Sequence, residues 1–119
     1  MCFKIPRGNF FPKRAKEDIF CIKRVFYSKL DDELISEHEL FKYKLNTIYK
    51  EKSFKIISLK SYDLIYKGFH SFIAKPYVIP MHGYIYVLCV IPKGSLYWKN
   101  EREGEYVSNR IILKEIMHD

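Results

Sequence analysis

From Phe41 onward, apolar and polar residues alternate with a period of two: Phe41, Tyr43 and Leu45 fall on one side, and Lys42, Lys44 and Asn46 on the other. Successive side chains of an extended chain point to opposite faces, so this pattern predicts a strand with one core face and one wet, basic face. Two longer runs, Ile19–Tyr27 and Tyr84–Ile91, are β-branched and aromatic with little polar interruption. Such runs predict strands covered on both faces. The second run, introduced by Gly83 and ended by Pro92, is expected to be the central strand. Ser53–Leu59 reads as a further strand, and a hairpin through Lys50-Glu51-Lys52 is the simplest way to join it to the Phe41–Asn46 segment. Tyr66–Ala74 reads as a strand entered through Gly68. Pro76–Pro80 reads as an edge or loop, because proline cannot donate to a ladder. Lys93-Gly94 forms a turn, and a polar connection, Lys99–Glu105, leads into a last strand, Tyr106–Met117, with Ile111 and Leu113 facing inward.

One segment has helical spacing. Asp31–Leu40 carries acids in its first turn and apolar residues three and four apart, which favours a short helix. Glu39 near its end opposes the helix dipole, so an exposed acidic loop is the alternative. Met1–Lys16 contains Pro6, Gly8, Pro12 and the cluster Lys13-Arg14-Ala15-Lys16, and cannot be a regular helix or a central strand throughout. Residues 1–18 are expected to form a basic arm that packs on the domain through Phe3, Ile5, Phe10 and Phe11.

These elements predict a mainly β fold, with α+β as the variant: one compact domain over residues 1–119, an antiparallel or mixed sheet, and at most one or two short helices. Composition agrees, since aromatics are 17% of the chain, ten Tyr and nine Phe among them, and favour sheet. A chain of 119 residues is also long enough to bury a core without staples. The longest apolar run, Tyr84–Ile91, falls short of the roughly 20 residues a membrane-spanning helix needs. Three cysteines, Cys2, Cys21 and Cys89, cannot all pair within one chain, and no secretory leader is evident. A cytoplasmic protein with reduced thiols and no membrane association is expected.

Charge changes the picture more than composition does. The net charge is +7 and uneven: residues 1–30 and 40–99 are strongly basic, residues 31–39 purely acidic, and the last twenty mildly acidic. Such a field attracts polyanions, nucleotides or an acidic partner. The basic and aromatic neighbours Lys42-Tyr43-Lys44, Tyr49-Lys50, Tyr66-Lys67 and Tyr97-Trp98-Lys99 have the composition of surfaces that stack bases and neutralise phosphates.

No glycine-rich phosphate loop, nucleophile elbow or convergent set of acids is present. Cys21, Cys89 and His70 would have to converge from different strands to hold a metal, and the short paired spacing of zinc sites is missing, so neither metal nor cofactor is expected. The best single candidate is His70, between Phe69 and Phe72 and followed by Ser71, where an imidazole could serve a partly apolar pocket. A strand histidine satisfied by a backbone carbonyl is the structural alternative. Lys93, Ser95 and the amides around Gly94 form a second candidate, because turns expose N–H groups to anions. His70, Ser71, Lys93, Ser95 and Tyr97 are the candidate ligand-binding residues.

Taken in order, Met1-Cys2, Ala15–Lys23, Lys44–Tyr49, Gly68-Phe69-His70-Ser71-Phe72, Ile91–Tyr97 and Val107–Ile112 resemble a family of short uncharacterised proteins from gut Bacteroidetes and their phages. The family has no settled activity. The resemblance implies a phage or mobile-element setting, with action in the host cytoplasm and on host machinery or defences. It also marks two departures: a proline-bound segment, Lys75–Pro80, where relatives are helix-like, and Asn109 where they carry an acid. If that acid were catalytic, this chain would be a binding version of the fold.

The leading expectation is a non-enzymatic protein that binds an anionic ligand, nucleotide-like or nucleic acid, between the Gly68–Phe72 strand and the Ile91–Ser95 turn. One rival is an ADP-ribosyltransferase-like enzyme holding NAD with His70 and a tyrosine, for which Glu105 is the best-placed acid. Another is a protein–protein inhibitor of a host factor that uses the aromatic surface and the acidic 31–39 segment. The sequence leaves the oligomeric state open.

Overall fold

The structure is a computed structural model that describes residues 3–6, 11–36, 41–52, 54–58, 62–75 and 83–117, and every regular element among them is a strand. In chain order these are β1 (Phe3–Pro6), β2 (Lys13–Arg14), β3 (Ile19–Ser28), β4 (Glu33–Ile35), β5 (Lys42–Tyr43), β6 (Ile48–Lys50) and β7 (Lys55–Ser58). They are followed by β8 (Tyr62–Lys67), β9 (Phe69–Phe72), β10 (Tyr84–Ile91), β11 (Leu96–Asn100), β12 (Glu105–Ser108) and β13 (Arg110–Ile116). The large sheet runs β2-β11-β12-β9-β3-β10-β13-β6, with β4 and β5 attached beside β3, and a small sheet runs β1-β8-β7. All pairings between described strands are antiparallel. No helix long and apolar enough to cross a membrane occurs among the described residues.

The large sheet coils on itself because one stretch of chain serves both of its sides. β12 pairs with β9 and β11, whereas β13, one residue later, pairs with β10 and β6. Asn109 makes the break: its N–H donates to Leu96 O (3.0 Å), its side-chain oxygen accepts from Leu96 N (2.8 Å), and its carbonyl accepts from Glu51 N (2.8 Å). The interruption also flips the side-chain alternation. Tyr106 faces the main core before it, and Ile111 and Leu113 face the same core after it. A one-residue break in a period of two turns the opposite face inward.

Inside the coil, Cys21 and Val25 of β3, Val87, Cys89 and Ile91 of β10, Phe69 of β9, Leu34 and Tyr43 join these residues in one core. A second core lies on the opposite face of β11 and β12, where Ile65 of the small sheet packs with Trp98, Val107 and Phe54. The Phe54 and Trp98 rings meet edge to face at 4.5 Å, a favoured aromatic geometry. Gly68, at φ 144, is the step by which the chain leaves β8 in the small sheet and enters β9 in the large one.

Tyr84–Ile91 is central, lying between β3 and β13, and Ile111 and Leu113 face inward as the spacing indicated. Other elements differ. Asp31–Leu40 is not a helix in its described part: Asp32 takes a left-handed φ of 52, and β4 returns along β3. Tyr27 donates its hydroxyl to the Asp32 carboxylate at 2.6 Å and closes that turn. Residues 37–40 lie outside the described residues, as do 76–80. The Phe41–Asn46 alternation shrinks to the two residues of β5, because Asn46 at φ 58 turns the chain. Lys44 N donates to the Tyr49 hydroxyl (2.6 Å) across that turn, leaving Phe41 and Leu45 partly exposed. β7 does not form a hairpin with this segment: it pairs with β8, while β5 and β6 pair with β4 and β13. The first part of the Lys99–Glu105 connection belongs to β11. The N-terminal arm contributes two edge strands, β1 on β8 and β2 on β11.

Candidate functional site

Pro92 ends β10, and the turn that follows gathers residues from four parts of the chain. Gly94, at φ 88, takes the left-handed position, which glycine adopts without steric cost. Ala15 bonds the turn from both sides, Gly94 N donating to Ala15 O and Ala15 N to Ser95 O, each at 2.8 Å. Arg14 donates to Gly94 O at 2.8 Å, and an Arg110 guanidinium nitrogen lies 3.1 Å from where a Cβ on Gly94 would sit. Lys50 faces Arg110 in the β6–β13 ladder, and Lys13 faces Tyr97 in the β2–β11 ladder. Lys13, Arg14, Lys16, Lys50 and Lys93 are exposed and Arg110 is half-buried. Glu17 and Asp18 are the nearby acids of the Ala15–Asp18 stretch.

The turn's amides are not available to an outside anion. Lys93 N donates to the Asp18 carboxylate (2.8 Å), Ser95 N to Pro92 O (3.0 Å) and Leu96 N to Asn109 Oδ1 (2.8 Å). The chain's own carboxylate occupies the place expected for a bound anion. Any anion recognition here falls to side chains.

The five candidate residues do not gather into one pocket. His70 and Ser71 are consecutive on β9 and face opposite ways. His70 lies opposite Val107, itself opposite Trp98, on the face of the second core; both its ring nitrogens are buried. Ser71 is buried opposite Tyr106 on the main-core side. Ser95 is fully buried, with no hydrogen-bond partner for its hydroxyl among the described residues. Tyr97 is half-buried, its ring 6.0 Å from that of Tyr106. Lys93 alone of the five is exposed. Cys21 and Cys89 meet on the main-core side, away from the His70 ring, so the three do not form a metal site.

Glu105 lies on the same face of β12 as Val107, diagonal to His70. Burial, and after it the charge of Glu103, pushes its carboxyl above the ordinary 4.5. The fold therefore favours the neutral acid. Stability from this group is fully present below pH 4.5 and is lost as pH rises through the elevated value. Glu105→Gln is expected to raise the melting temperature at neutral pH and to flatten its pH dependence above pH 4.5, as read by thermal unfolding from acid to neutral pH.

Sequence reading missed that Ala15–Asp18 and Pro92–Ser95 form one structure. A signal was there: each stretch mixes charge with turn-forming residues. No protein-family model, curated protein or solved structure matches the chain.

Proposed function

We propose that this protein is a nucleic-acid-binding module that grips the phosphodiester backbone through the basic rim around the Pro92–Ser95 turn. The observation that carries this reading is the convergence of Arg14, Lys16, Lys50, Lys93 and Arg110 from β2, the following loop, β6, the turn and β13. Charge on an edge strand such as β2 also blocks edge-to-edge pairing. That purpose does not require Lys16, Lys93 or Arg110. Phe11 is 88% exposed, two residues before Lys13, and offers a ring on which a base can stack. The rim is an open array of side chains rather than an enclosed cavity, a shape suited to an extended polyanion more than to a single nucleotide.

The test is fluorescence anisotropy with a labelled single-stranded oligonucleotide and labelled ATP between about 50 and 200 mM salt. The oligonucleotide is expected to bind more tightly than ATP, with affinity falling steeply as salt rises. Replacing Lys16 and Lys93 together by serine should weaken binding and reduce the log–log salt slope by about 0.7 for each phosphate that the variant no longer neutralises. His70→Ala should leave binding unchanged, because its ring nitrogens are buried on the face of the second core and away from the rim. Absence of oligonucleotide binding at low salt, or an unchanged slope in the lysine variant, would overturn the proposal.

A further inference from the structure

Cys21 and Cys89, far apart in sequence, are direct partners in the β3–β10 ladder. Facing residues of an antiparallel pair have Cα atoms about 4.5–5.5 Å apart, inside the roughly 4.4–6.8 Å that a disulfide spans. Both side chains point into the main core, 1% and 0% exposed, and both are free thiols; the Cys89 thiol donates to Val87 O at 3.4 Å. Two further groups lie beside the pair, and the Lys23 charge favours ionisation of both thiols. Lys23, the next inward position on β3, donates from Nζ to His70 O at 2.7 Å, and Ser71 of β9 is buried on the same main-core side as Cys21. The Cys89 thiol, then Ser71 and the Lys23 charge, hold the Cys21 thiol below its ordinary value against the opposing effect of burial. Cys89 is pushed the other way by Cys21 and by burial.

We propose that Cys21 and Cys89 form a reversible disulfide that staples the two central strands, with Cys21 as the attacking and Cys89 as the resolving thiol. The oxidant class is a small peroxide; beside Cys21 the described β3–β9 ladder is the single pair Ile22 and Phe72, which is the point of entry that the proposal requires. The Cys21 thiolate attacks one peroxide oxygen, the O–O bond breaks, and hydroxide leaves, forming a sulfenic acid. The Cys89 sulfur then attacks the Cys21 sulfur, the S–O bond breaks, and the hydroxyl departs with the Cys89 proton as water. Two thiols and one hydrogen peroxide become one disulfide and two waters. A dithiol reductant reverses the change.

The experiment uses the full chain carrying Cys2→Ser, which removes the third thiol. The folded, reduced protein is exposed to hydrogen peroxide, unfolded in the presence of iodoacetamide and weighed intact. The expected result is a mass lower by two hydrogens, no alkylation, one tryptic species joining the Cys21 and Cys89 peptides, and full recovery of both thiols with dithiothreitol. The oxidised protein should also melt at a higher temperature. In Cys89→Ser, oxidation should stop at a Cys21 sulfenic acid that dimedone captures. Two alkylated cysteines after peroxide treatment, or oxygen added to Cys21 of the unsubstituted pair without a cross-link, would overturn the proposal whether or not the Cys89 variant folds.

Discussion

Leu113→Ala is expected to lower the free energy of unfolding by about 2–5 kcal/mol, the range for emptying a fully buried leucine site. Leu113 has no exposed surface, faces the main core and lies opposite Cys89 in the β10–β13 ladder. It sits four residues past the Asn109 break, so its inward position depends on the flipped alternation as well as on its own apolarity. Ile112, its neighbour on the other face and opposite Val90, is only half-buried. Ile112→Ala should cost less, about 1–2 kcal/mol, in proportion to the smaller area removed from water. Denaturant unfolding followed by fluorescence of the single tryptophan, Trp98, compares the two variants directly. Equal losses would contradict the assignment of Leu113 to the enclosed face.

Gly68→Ala should be nearly as damaging. A Cβ at this position would lie 2.7 Å from Val107 Cγ2 and 3.1 Å from the Phe54 ring, at a φ of 144 that side-chain-bearing residues rarely adopt. Backbone strain of about 1–3 kcal/mol combines with about 1–3 kcal/mol of overpacking, giving a loss of about 2–6 kcal/mol. Gly104 supplies the control. Its φ of 68 is also left-handed, but nothing lies within 4 Å of an added Cβ, so Gly104→Ala should cost only the backbone strain of about 1–2 kcal/mol. Adding Val107→Ala to Gly68→Ala should cost less than the sum of the two single changes, because the smaller side chain makes room for the new methyl. Strict additivity would mean that strain alone, and not the close approach of the two layers, explains the glycine.

The two basic clusters legible in sequence, Lys13–Lys16 and the Lys93 turn, illustrate what one-dimensional reading reaches. Their turn chemistry and charge were visible, and their meeting was not. Asp18 is 75 residues from its hydrogen-bond partner Lys93, and Arg14 is 80 from Gly94. No periodicity connects such positions. The same separation hid the thiol pair, since Cys21 and Cys89 become neighbours only through the β3–β10 register.

By itself the sequence determined the class of fold and its centre. β-branched and aromatic runs with a period of two can bury themselves only as strands, and the uninterrupted Tyr84–Ile91 run needs cover on both faces. It also determined the Pro92 and Gly94 punctuation, because proline fixes φ and glycine takes a left-handed φ without steric cost, whatever surrounds them. Which strands pair was decided by the tertiary structure. The break at Asn109, Gly68 as the step between sheets, and the shift of β7 from the expected hairpin to β8 depend on packing between distant segments. So does the side on which a residue lies: His70 and Ser71 read as one motif, but consecutive strand positions point to opposite faces, and only the two packed layers decide which core each enters.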